Sequence, residues 1–134
     1  MENYNWLNDW LVIINPNAGK GRGQKDWNKI SYFMKVQGFQ FSFISTEKKN
    51  DAALVAREAV ISGCRKIIVV GGDGTLNEVV NGILTQDICN SDEVILGMIP
   101  VGTGNDWGKM FGIPSGYEEA IKIIRFFYIE THAT

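Results

Sequence analysis

The sequence predicts a three-layer α/β fold, a doubly wound parallel sheet with helices on both faces. Three observations carry this. Short β-branched runs alternate with stretches of helical period, the spacing leaves room for crossover helices, and glycine-rich loops follow the strands. Right-handed crossovers then place helices on both sides of the sheet, and ligands in such folds bind outside the carboxyl ends of the strands.

Each element follows from its residues. Leu11-Val12-Ile13-Ile14 is a buried strand ended by Asn15-Pro16. Gln24 to Gln37 sets Trp27, Ile30, Phe33 and Met34 on one helical face and stops at Gly38. Phe39 to Ser45 is a second strand. Asn50 or Asp51 caps a helix to about Ser62, with Gly63 just past its end. Lys66 to Val70 contains Ile-Ile-Val-Val, the pattern of a strand covered on both faces. Leu76, Val79, Val80, Ile83 and Leu84 mark an amphipathic helix, Val94 to Ile99 a fourth strand, and Ser115 to about Phe126 a last helix.

Composition sets the bounds. The 134 residues suit one domain, 45% apolar and 21% charged, and show neither a repeat nor a low-complexity linker. Thirteen basic against fifteen acidic residues give a net charge of −2 with no basic block, which argues against a nucleic-acid partner. Apolar runs such as Val94–Met98 fall far short of the roughly 20 residues that span a bilayer. The polar N-terminus, with Glu2, Asn3, Asn5 and Asn8, is unlike a secretory signal. Cys64, Cys89 and the lone His132 cannot make a zinc site of about four ligands. His132, the third residue from the end, suits a solvated tail better than a Ser-His-Asp site, and unpaired thiols fit a reducing cytoplasm.

Three loops carry the candidate chemistry. Asn15-Pro16-Asn17-Ala18-Gly19-Lys20-Gly21-Arg22-Gly23 is neither of the standard phosphate motifs, yet it sets backbone N–H groups and two cations near a helix start. Taken alone, this loop is better explained as an ordinary flexible turn with solvated Lys20 and Arg22. In Gly71-Gly72-Asp73-Gly74-Thr75, paired glycines let a backbone approach phosphates, and a carboxylate beside an anion implies a divalent cation or a hydroxyl proton. Thr75-Leu76-Asn77-Glu78 also matches a capping box, which would explain Thr75 and Glu78 without any ligand. The third loop is Pro100-Val101-Gly102-Thr103-Gly104-Asn105-Asp106, where Thr103 offers a hydroxyl and Asn105 and Asp106 are potential caps. Together the loops indicate a nucleotide-phosphate site.

Asn15-Pro16-x-Ala18-Gly19, Gly71-Gly72-Asp73-Gly74-Thr75-Leu76-Asn77-Glu78-Val79 and Gly102-Thr103-Gly104-Asn105-Asp106, in that order, resemble the diacylglycerol kinase catalytic domain. That family includes bacterial lipid kinases and the sphingosine and ceramide kinases, and the likeness covers residues 9–134. It implies a Rossmann-like nucleotide-binding domain similar to those of NAD kinases and phosphofructokinases, and ATP-dependent phosphorylation of a lipid hydroxyl such as that of diacylglycerol or a sphingoid base. By the same resemblance Asn15, Asn17 and Thr46 line the nucleotide pocket. Gly71, Gly72, Asp73, Gly74, Thr75, Leu76 and Asn77 wrap the phosphates, with Asp73 near phosphate-bound Mg²⁺ as the catalytic and metal-handling group. Glu78 lies beside the nucleotide and Thr103 touches it from the third loop.

The resemblance further implies a second, β-rich domain, absent from these residues, that supplies the lipid pocket and the general base. The chain is then the N-terminal half of a two-domain kinase, either a cut piece or a natural short protein. It implies a cytoplasmic protein acting on lipid at the inner membrane surface. Tyr4, Trp6, Trp10 and Phe126–Tyr128 suit buried contacts, in the core, in a homodimer or against a membrane. Two other functions compete: an NAD-kinase-like phosphotransferase, which the first and third loops disfavour, and a non-catalytic nucleotide-binding module.

Overall fold

Strand formation follows the apolar pattern: the short runs that lack helical period become the strands. They form β1 (Trp10–Ile14), β2 (Phe41–Ser45), β3 (Lys66–Gly71) and β4 (Ile95–Pro100). All residues of β1 and β3 are buried, whereas β2 and β4, at the edges, are partly exposed. The computed structural model describes residues 9–101 and 116–132. The sheet is parallel throughout, in the order β2-β1-β3-β4. Ile14 pairs with Ser45 on one side and Val70 on the other, and Val70 pairs with Ile99, so the carboxyl ends of the strands share one rim.

The connecting helices are α1 (Ala18–Val36), α2 (Asp51–Ile61), α3 (Asp73–Leu84) and α4 (Tyr117–His132), with a short 3₁₀ turn at Ser91–Glu93. α2 and α3 cover one face, packing Ala52, Ala56, Ala59, Val60, Val79 and Ile83 on Leu11, Ile13, Ile67 and Val69. α1 and α4 cover the other, where Ile30, Met34 and Ile121 meet Val12, Ile14, Ile68, Val70 and Ile99. Alternate residues of the same strands therefore feed two separate cores, which is the doubly wound α/β architecture the pattern predicts.

Several boundaries differ from the sequence expectation, each for a physical reason. β2 starts at Phe41, two residues late, because the chain is still turning out of α1 through Gly38, whose φ is +83°. α1 begins at Ala18 but is interrupted by left-handed Gly19, Lys20 and Gly21, with φ of 61°, 60° and 90°. α3 begins at Asp73, with Gly72 as its N-cap and no side-chain cap bond, so the capping box expected at Thr75–Glu78 does not form. The N-cap of α2 is Asn50, left-handed and without a side-chain cap bond. α4 runs to His132, past the expected end near Phe126; Ser115 and the side chain of His132 lie outside the described residues. Cys64 and Cys89 are unpaired, and burial pushes the Cys64 thiol up to about 11.

Of the aromatic residues expected in buried contacts, Trp10 is in the core while Phe126 and Phe127 are exposed; Tyr4 and Trp6 lie outside the described residues. Among the described residues no helix is long and apolar enough to cross a membrane.

Candidate functional site

The strand order reverses at β1: the chain passes outward to β2, then back across β1 to β3. Loops leaving β1 and β3 therefore diverge to opposite faces and open a crevice between them, the place where such sheets bind ligands. Asn15 holds this crevice together. Its N–H donates to the Val70 carbonyl at 2.9 Å, and its Nδ2 donates to Thr75 Oγ1 at 3.2 Å, sixty residues away. Its Oδ1 accepts the Asn17 N–H at 3.0 Å. One amide thus fixes the first loop to the first turn of α3.

Thr75 is only 6% exposed, and its Oγ1 accepts the Asn15 bond while its own O–H finds no acceptor among the described residues. Gly71 is required here, because a Cβ on it would lie 2.9 Å from Thr75 Oγ1. Gly23 has a similar role in the first loop, where a Cβ would fall 2.3 Å from the Asn15 carbonyl oxygen. Both glycines permit close approach of backbone to a neighbouring element.

Thr46 follows β2. Its N–H and its hydroxyl both donate to the Ile14 carbonyl, at 2.8 and 3.3 Å, and the residue is buried. The turn beyond it closes on Asp51, whose Oδ2 accepts the N–H groups of Glu47 and Lys48, each at 2.9 Å. These amides hold the Asp51 carboxyl below the usual carboxylate range.

A cavity of about 280 Å³ lies between these segments. Asn15 and Asn17 line it from the first loop, Thr75 and Glu78 from α3, and Thr46 to Lys49 with Ala52 from the turn into α2. Asn15, Asn17, Thr46, Thr75 and Glu78, expected at one site, thus surround one space. The remaining expected residues sit differently. Gly72, Asp73 and Gly74 form the start of α3, with Asp73 and Gly74 exposed, and Asn77 is exposed one turn on. Leu76 packs its side chain against the α2–α3 core and donates its N–H to the Gly72 carbonyl, so it offers no free group. Thr103, with Asn105 and Asp106, lies outside the described residues.

The cations of the first loop are not in the cavity lining. Arg22 instead pairs with Asp26 at 3.5 Å, and Asp26 also accepts the Tyr117 hydroxyl at 2.5 Å. Lys48 and Lys49 bring positive charge to the cavity, and neither was marked by a motif: a pair of lysines on a polar turn looks like any solvated surface.

The donor set at α3 suits a nucleotide phosphate. The amides of Asp73, Gly74 and Thr75 open a helix whose N-cap supplies no side-chain acceptor, and the first N–H groups of a helix, at the positive end of its dipole, have no partner within it. Among the described residues no three His, Cys, Asp or Glu gather to hold a metal by themselves. Asp73 and Glu78 are single carboxylates on α3, which fits a divalent ion carried mainly by phosphate oxygens and water.

The sequence matches the diacylglycerol kinase catalytic domain over residues 9–131. It is 37% identical over 123 residues to a diacylglycerol kinase of Staphylococcus aureus (strain bovine RF122 / ET3-1), covering 92% of this chain and 36% of that protein. The same identity over 123 residues relates it to a diacylglycerol kinase of Staphylococcus haemolyticus (strain JCSC1435), covering 92% of this chain and 35% of that one. A crystal structure of a diacylglycerol kinase from Bacillus anthracis str. Sterne superposes with a TM-score of 0.73 at 33% identity, over 90% of this chain and 40% of that chain. The chain spans 36% and 35% of the length of these two staphylococcal relatives.

Proposed function

The chain belongs to the diacylglycerol kinase catalytic domain family, and on that premise we propose that it is the ATP-binding part of a lipid kinase. The reaction is transfer of the ATP γ-phosphate to the hydroxyl of a lipid such as diacylglycerol or a sphingoid base, presented at a membrane surface. The observation that carries this reading is the cavity at the β1/β3 crevice, where Asn15, Thr46, Thr75 and Glu78 meet beside the start of α3, whose N-cap Gly72 offers no side chain.

In this reading the amides at the start of α3 receive phosphate oxygens, with the helix dipole favouring the anion by about 0.3–1 kcal/mol. The free Thr75 O–H donates to the same group, while Asn15 keeps that hydroxyl in place. Asp73 would be the protein group that helps hold a phosphate-bound Mg²⁺, which would supply charge neutralisation at the transferring group. Glu78 accepts hydrogen bonds from the nucleotide's hydroxyls. The lipid pocket and the general base belong, on this reading, to a region outside the chain.

Calorimetric titration of Mg²⁺–ATP tests the binding half, beside a radiolabelled phosphorylation assay with diacylglycerol vesicles. We expect weak ATP binding, with Kd in the range of roughly 0.1–1 mM because water reaches the open phosphates, and lipid phosphorylation at background. Absence of any ATP heat at several millimolar would sink the reading. Asp73→Asn is the sharper probe. The fold should be unchanged, because Gly72 and not Asp73 caps α3. Joined to its acceptor-binding region, the variant should lose turnover by roughly 10²-fold or more, as expected when a group stabilising transition-state charge is removed. Wild-type turnover by a well-folded Asp73→Asn protein would remove Asp73 from the chemistry.

A further inference from the structure

The cavity carries its positive charge on a segment that no motif marks. Of its lining groups, those from the first loop are neutral amides, and those from α3 are a hydroxyl and the Glu78 carboxylate. Lys48 and Lys49 supply the ammonium groups, and neither makes an ion pair with Glu47, Asp51 or Glu78 among the described residues. A polyphosphate placed on Thr75 would bring several negative charges beside two carboxylates, Glu47 and Glu78. Without a facing cation that arrangement is repulsive.

The turn that presents the lysines is held at both ends. Thr46 is anchored to the Ile14 carbonyl by two hydrogen bonds, and Asp51 accepts the N–H groups of Glu47 and Lys48. The Asp51 N–H returns a bond to the Lys48 carbonyl at 3.2 Å. Across the cavity, the unsatisfied O–H of the buried Thr75 calls for an acceptor that the described residues do not provide.

We propose that Lys48 and Lys49 bind the phosphate groups of the nucleotide from the side opposite α3, and that Asp51 is the positioning residue that sets their turn. The inference rests on the nucleotide reading of the cavity and adds to it the origin of its cationic wall. It also separates two chemically similar anions, the nucleotide's phosphates and the phosphate headgroups of a lipid surface, and commits to the first.

The test compares Mg²⁺–ATP with AMP, titrated calorimetrically into the wild-type chain, Lys48→Ala/Lys49→Ala, Asp51→Ala and Asp51→Asn. Lys35→Ala, an exposed lysine in the last turn of α1, is the control. The double lysine variant should raise the ATP Kd about 10-fold or more, change the AMP Kd much less, and flatten the dependence of ATP affinity on salt. Asp51→Ala should weaken ATP in the same way and move the Glu47 and Lys48 amide resonances. Asp51→Asn keeps an acceptor oxygen and should restore most of both.

Unchanged ATP affinity and salt dependence in the double lysine variant, with wild-type binding intact, would overturn this inference and leave the nucleotide reading standing. Loss of sedimentation with phosphatidylglycerol vesicles at unchanged ATP affinity would overturn it in favour of lipid headgroups. Failure of the wild type to bind ATP would overturn both.

Discussion

Against one face of the sheet α2 and α3 pack through small residues, Ala52, Ala56, Ala59 and Gly82, while α1 and α4 cover the other with Trp27, Phe33, Tyr117 and Tyr128. On the first face the backbones nearly touch: a Cβ on Gly82 would lie 2.2 Å from the Ala53 carbonyl oxygen. On the second, aromatic edges fill the space. Trp10 meets Phe39 and Tyr128 at centroid distances of 5.5 and 5.4 Å, and the buried Lys66 ammonium sits 5.9 Å from the Trp10 ring and 5.6 Å from Tyr128. The difference concerns the site directly. α2 carries Asp51 and Ala52, and α3 carries Thr75 and Glu78, so the width of the cavity is set by how closely those two helices approach. A face built on backbone contact holds that width more strictly than one built on adjustable rings.

The largest effects come from opening each core at the same strand. Ile67 faces the α2–α3 side and Ile68 the α1–α4 side, both fully buried. Truncation of either to alanine should cost about 2–5 kcal/mol, the spread reflecting how far each site collapses. If the small-residue face is the stiffer, Ile67→Ala lies toward the upper end and Ile68→Ala toward the lower in urea unfolding. The reverse order would break the comparison.

Adding a methyl group sharpens it further. Gly82→Ala drives a Cβ into backbone, so α2 and α3 must part, with a loss of about 1–3 kcal/mol and weaker ATP binding in the same titration. Gly97→Ala, on β4, meets the Ile124 side chain instead, with Cδ1, Cγ1 and Cγ2 at 3.0, 3.1 and 3.2 Å, so a side chain rather than backbone must give. It should cost less stability than Gly82→Ala and leave ATP binding alone.

The polar tie on the aromatic face gives a test that depends on pH. Tyr117→Phe removes the hydroxyl donated to Asp26 and should cost about 1–2 kcal/mol near neutral pH. That bond, followed by the nearby Arg22 charge, holds the Asp26 carboxyl below its usual range, while burial and the Asp26 bond push the Tyr117 hydroxyl up. A lowered carboxylate stabilises the fold above its unfolded value and ceases to do so as pH falls through the folded one. A raised phenol stabilises below its unfolded value and loses this as pH rises beyond it. Unfolding curves of wild type and variant should therefore converge at both acid and alkaline extremes. A gap independent of pH would show that the contact acts by packing alone.

Much of this architecture is legible in local pattern, because period and β-branching report how each segment is covered. β1 and β3 stand out for that reason, and the apolar positions of α3 follow from their spacing. Helix starts are less legible. Thr75 and Glu78 carry the letters of a capping box, yet the chain leaves β3 so sharply through Gly71 and Gly72 that the helix begins at Asp73, and Thr75 turns inward to Asn15.

By itself the sequence determined the α/β class, the alternation of elements and the glycine loops at the strand ends, all of which depend on neighbours along the chain. Tertiary structure decided the order β2-β1-β3-β4, the bond from Asn15 to Thr75, and the arrival of Lys48 and Lys49 in the cavity in place of Lys20 and Arg22. Those outcomes depend on which segments become neighbours in space. A side chain's residue type states what it can bind, but its partner is set by the packing of helices and strands far apart in the chain.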